Sequence, residues 1–87
     1  MNNRKEDIQV LIAEDDYLVG EMIKGIIREI GYTFAGQASD GREVTEMTES
    51  IKPDIILMDI KMPDMDGIEA TRLIHKRRPT PVVVLTA

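Results

Sequence analysis

The stretch "IILMDIKMPDMDG", Ile55 to Gly67, decides how the rest of the chain is read. Large apolar residues from Ile55 to Met58 run directly into Asp59. A short continuous apolar run of this kind suits a strand buried on both faces of a parallel sheet. Lys61, Asp64 and Asp66 follow, broken by Pro63 and closed by Gly67, so Asp64 to Gly67 read as a turn. A carboxylate at the tip of a greasy strand is costly to desolvate, and Asp59 therefore needs a chemical reason to be there.

Working outward, the same pattern recurs. "IQVLIA", Ile8 to Ala13, is a second buried strand, and it ends in Glu14, Asp15 and Asp16. Leu18, Val19, Met22, Ile23, Ile26, Ile27 and Ile30 then recur at helical spacing, with Asp16 as N-cap and Gly31 as stop. Tyr32 to Ala38 is of mixed polarity and reads as an edge strand, followed by a turn at "SDG". Arg42 to Ile51 is a more polar helix with Val44, Met47 and Ile51 facing inward. Pro53 breaks it and opens the strand Asp54 to Met58. Ile68 to Arg77 form a third helix, with Ile68, Leu73 and Ile74 inward, and Val82 to Thr86 form a fourth strand. Strands alternating with helices imply a doubly wound α/β domain with a parallel sheet.

Composition bounds the class. The 87 residues make one domain, and 43% hydrophobic with 31% charged residues describes a globular chain. Residues 1 to 7 are polar and are expected to form a disordered tail, with the domain running from 8 to 87. The sequence has no cysteine, which removes disulfides and thiolate metal sites. No apolar run approaches the roughly 20 residues of a membrane span, and "MNNRKED" lacks the apolar core of a signal peptide. A cytoplasmic location without membrane contact is the expectation. The net charge of -5 argues against direct binding of a nucleic-acid backbone.

The acids after the strands are the chemical signal. All C-terminal ends of a parallel sheet lie at one edge. If the second strand lies outside the first and the third on its other side, Glu14 and Asp15 meet Asp59 at a topological switch point, where open α/β sheets bind ligands. Carboxylates that close repel unless something positive sits among them. An all-oxygen anionic site suits a hard divalent cation, above all Mg²⁺. Taken alone, Glu14 and Asp15 are better read as capping or solvated acids; it is their pairing with Asp59 that favours a site.

Three blocks, "VLIAEDD" (Val10 to Asp16), "KPDIILMDIKMPDMDG" (Lys52 to Gly67) and "PVVVLTA" (Pro81 to Ala87), resemble the receiver domain of two-component response regulators. Gly31 and "SDG" also fall where that family places them. The resemblance implies a flavodoxin-like receiver fold with strand order 2-1-3-4 over these four strands and three helices. It implies that Asp59 is the phosphoacceptor and that Asp15 is a direct Mg²⁺ ligand. It implies that Glu14 acts on the metal through water and that the backbone carbonyl of Lys61 is a further ligand. Thr86 would be the switch hydroxyl, Ala87 the small residue beside it, and Pro63 and Gly67 the shapers of the adjoining loop. The phosphodonor would be a sensor histidine kinase or a phosphotransfer protein. The N-terminal blocks also resemble receivers joined to RNA-binding antitermination modules.

The family's pattern continues past the fourth strand to a fifth, which carries a lysine and an aromatic switch partner, and to two more helices; none of these is among the 87 residues. The expectation is therefore an incomplete receiver, impaired in phosphoryl uptake. Right-handed crossovers would put the first helix on one face and the second and third on the other. One face of strands three and four would then lie bare, and self-association through that face or the fourth strand is expected. The competing reading is a non-catalytic α/β fragment that self-associates or competes with a full-length partner. His75, among Lys76, Arg77 and Arg78 at a helix end, reads as a solvated partner of the helix dipole. "MDIKM" lacks the second acid of a DxD phosphatase motif, since Lys61 stands there.

Overall fold

A computed structural model describes residues 4–62 and 67–85. The elements run β1 (Gln9–Ala13), α1 (Tyr17–Ile30), β2 (Thr33–Ala38), α2 (Gly41–Ile51), β3 (Ile55–Asp59), α3 (Gly67–Arg77) and β4 (Val82–Leu85). All strand pairs are parallel, in the order β2-β1-β3-β4. This is the doubly wound, flavodoxin-like arrangement expected, with the first and third strands adjacent.

Local chemistry sets the boundaries. Asp16 caps α1, its carboxylate accepting the N–H groups of Leu18 at 2.9 Å and Val19 at 3.1 Å. Gly31 ends the helix in the left-handed region, at φ 107°, where a side chain would be strained. Asp40 caps α2 by accepting the Glu43 N–H at 2.8 Å. Asp54 ties the two central strands together at their start: its carboxylate accepts the Gln9 N–H at 2.7 Å, and its own N–H donates to Gln9 at 2.9 Å.

The sheet separates two apolar clusters. Leu11, Ala13, Ile56 and Met58 point toward α2 and α3, where they bury against Val44, Ala70 and Ile74. Val10 and Ile12 point the other way and pack under α1 with Ile27, beside Ile55 and Leu57. Alternate residues of β1 and β3 thus serve opposite faces, so both strands are apolar without a break.

Several expectations need correction. Ile68 does not face the core; it is 62% exposed, and Ala70 takes the inward position beside Ile74. Helical periodicity finds an apolar stripe but does not say how far around the helix the core extends. On α1 the inward part is narrow, and Leu18, Met22, Ile26 and Ile30, spaced four apart, are between 47% and 77% exposed. On the sheet itself, the exposed apolar residues of β4 are Val83 and Val84. Lys5–Asp7, assigned to a tail from sequence, instead close one turn of 3-10 helix that abuts β2, where the Thr33 hydroxyl donates to the Glu6 carbonyl. Among the described residues no helix is long and apolar enough to cross a membrane.

Candidate functional site

The ends of β1 and β3 are neighbours, with Ala13 opposite Met58, so the residues just beyond them share one edge of the sheet. Glu14, Asp15 and Asp59 converge there, each with a carboxylate oxygen within 4.8 Å of the others'. Glu14 is buried, Asp15 exposed and Asp59 half-buried. Together with Asp16, Val19, Ile23 and Leu85 they line a cavity of about 430 Å³. Its lining combines these acids with apolar residues from α1 and the end of β4.

Glu14 and Asp59 are each held by a backbone contact. The Glu14 carboxylate accepts the Asp16 N–H at 3.1 Å. The Asp59 carboxylate accepts the Lys61 N–H at 3.0 Å, which orients it at the strand tip. Burial pushes the Glu14 carboxyl above the ordinary carboxylate range, and the charges of Asp59 and Asp15 push the same way, while the hydrogen bond from Asp16 opposes them. The ion pairs of Arg4 with Glu6 and of Lys24 with Glu21 do not include a member of the trio. The donor set is all oxygen and carries excess negative charge, which fits a hard divalent cation such as Mg²⁺.

Of the other positions singled out from sequence, Lys61 is exposed and lies next to the site through its peptide N–H. Gly67 starts α3 against the Asp59–Ile60 backbone: a Cβ there would lie 2.5 Å from Ile60 Cα and 2.7 Å from the Asp59 carbonyl oxygen. Only glycine fits that approach without moving the strand tip. Pro63, Thr86 and Ala87 lie outside the described residues. Leu85, the residue before Thr86, is the register neighbour of Asp59.

Two residues that sequence reading passed over also bear on the site. The Gln37 side chain donates through Nε2 to the Glu14 carbonyl at 3.0 Å, and it lies against Gly20 of α1. The available signal was Gly20 itself, since a glycine inside a helix costs about 1 kcal/mol relative to alanine.

Comparison with known proteins bears on this arrangement. A family profile described as the response regulator receiver domain matches residues 10–87. The chain is 48% identical over 79 residues to the transcriptional regulatory protein PdtaR of Mycobacterium tuberculosis, covering 91% of this chain and 38% of that protein. It is 43% identical over 77 residues to the chemotaxis protein CheY of Thermotoga maritima, covering 88% of this chain and 64% of that protein. The chain thus spans less than two thirds of either relative. Among solved structures it superposes on the response regulator domain of Thermotoga maritima CheB with a TM-score of 0.88 and 40% identity, over 91% of this chain and 60% of that one. It also superposes on a CheX–CheY–BeF3–Mg complex from Borrelia burgdorferi with a TM-score of 0.87 and 28% identity, over 92% of this chain and 62% of that one.

Proposed function

The chain belongs to the response regulator receiver family, and on that footing we propose that it accepts a phosphoryl group on Asp59 in two-component signalling, with Mg²⁺ held by the neighbouring carboxylates. The observation that carries the reading is the convergence of Glu14, Asp15 and Asp59 at the ends of two adjacent strands.

Asp15 and Asp59 would hold the ion directly, Glu14 would act on it through water, and the Lys61 carbonyl would complete the protein's share. When bound, Mg²⁺ screens the repulsion between these carboxylates and an incoming phosphoryl group. The Asp59 carboxylate attacks phosphorus in line. An O–P bond forms at Asp59, and the P–N bond of a phosphohistidine, or the P–O bond of a small acyl phosphate, breaks. The imidazole or the carboxylate leaves with the bonding electrons. The product carries new negative charge and acceptor oxygens, toward which the Thr86 hydroxyl is drawn.

Receivers take phosphoryl groups from histidine kinases or phosphotransfer proteins, and we place this chain in the cytoplasm beside such a donor. The apolar row on α1 and the exposed Val83 and Val84 favour a second property, self-association of the 87-residue chain. A fragment that does no chemistry and only self-associates is the rival account.

Incubation with a small acyl phosphate, followed by peptide mass spectrometry, tests the reading. The expected result is a mass gain of one phosphoryl group on the peptide holding Asp59, dependent on Mg²⁺ and lost in Asp59→Asn. A gain on another residue, or one untouched by a chelator, would contradict the assignment.

A further inference from the structure

Resting on that reading, we infer that Gln37 is a positioning residue for the carboxylate trio, admitted by Gly20 and acting through the backbone carbonyl of Glu14. The route begins with a bulge in β2. Val10 pairs with Phe34 but Leu11 pairs with Gly36, so Ala35 is an extra residue in the ladder. One extra residue sends every later side chain of a strand to the opposite face. Gln37 consequently pairs with Ile12, on the α1 side of the sheet. Without the bulge it would pair with Ala13 and point toward α2 and α3.

On the α1 side the Gln37 amide occupies a slot that exists because residue 20 is glycine. A Cβ built on Gly20 would overlap the amide group. Through that slot Nε2 reaches the Glu14 carbonyl at 3.0 Å. The Glu14 N–H donates to the Ala38 carbonyl at 2.9 Å, so both peptide groups flanking Glu14 are tied to β2. A peptide unit is planar, so fixing the Glu14 carbonyl also fixes the Asp15 N–H and the direction in which Asp15 leaves the strand. Three like charges drive the turn open whenever no cation sits among them. Gln37 resists that opening and keeps Glu14 and Asp15 at cation-binding separation.

The test is Mg²⁺ titration of the 87-residue chain, followed by calorimetry, for wild type, Gly20→Ala, Gln37→Met and the double variant. Melting of each metal-free protein and the Asp15 amide shift in metal-free NMR spectra are read in parallel. Groups that orient metal ligands are worth about 10- to 100-fold in affinity, so each single variant binds Mg²⁺ about tenfold or more weakly and moves the Asp15 amide. The double variant loses no more than either single one, because both remove the same hydrogen bond. Gly20→Ala melts no lower than wild type: alanine favours the helix, and the displaced amide is the free end of a flexible side chain. Unchanged affinity in both single variants overturns the inference, as do losses that add in the double variant. A Gly20→Ala protein that binds poorly and also melts lower overturns it too, by making the slot merely structural. If wild type binds no Mg²⁺, the phosphoacceptor reading itself fails; if wild type binds and the variants bind equally, that reading stands and only the role of Gln37 is lost.

Discussion

Glu14, just past the end of β1, and Asp59, at the end of β3, bring carboxylate oxygens within 4.8 Å of each other across two adjacent parallel strands. That proximity raises the energy of the metal-free protein, because burial and the neighbouring charges both disfavour ionised Glu14. The site is a charge arrangement that a cation relieves, and its consequences can be measured without any phosphodonor.

The first is that Glu14→Gln stabilises the metal-free protein at neutral pH, by about 0.5–2 kcal/mol in urea unfolding with chelator present. The sign follows from linkage. The Glu14 carboxyl is raised in the folded state, so the folded protein binds more protons than the unfolded one between the ordinary and the raised pKa. Wild-type stability therefore rises as pH falls through that window, and the advantage of the variant shrinks with it. A variant less stable than wild type at neutral pH would mean that Glu14 contributes favourable contacts outweighing the repulsion.

Gly67→Ala acts on the other side of the site. The new methyl would meet backbone at Asp59 and Ile60, which has no flexible end to move aside. The expected cost is roughly 1–3 kcal/mol, with weaker Mg²⁺ binding because the strand tip carrying Asp59 shifts. Urea unfolding and Mg²⁺ titration check both parts; unchanged stability would show that the start of α3 moves freely.

The row Leu18, Met22, Ile26 and Ile30 predicts association of the wild-type chain at high concentration, seen by light scattering as a mass above that of one copy. Met22→Lys with Ile26→Lys returns the chain to a single copy and shifts the melting temperature little, because neither side chain is buried. A wild-type chain that stays monomeric sinks the proposal of self-association and leaves the site chemistry untouched.

Much of this architecture was legible from residues. The apolar runs of β1, β3 and β4, together with Asp16, Gly31 and Pro53, mark element type and order because each acts within a few residues of itself. The acids at 14, 15 and 59 were legible as a site only once strand order was granted, and order depends on contacts between residues some 45 positions apart, which the resemblance to receivers supplied. The bulge at Ala35 was not legible. "TFAGQA" shows broken alternation and a glycine, but nothing in it says which face Gln37 takes. Nor was the outward aim of Ile68, since periodicity marks a stripe without saying which part of it meets the sheet.

The central claim is that Glu14, Asp15 and Asp59 form one pocket for a divalent cation. Mg²⁺ titration of wild type, Asp15→Asn and Asp59→Asn, with each variant's fold checked by circular dichroism, tests it most directly. The account predicts one Mg²⁺ bound per wild-type chain and a large loss of affinity in both variants while the fold is kept. Binding that survives in both variants, or a wild-type chain that binds no Mg²⁺, would contradict it.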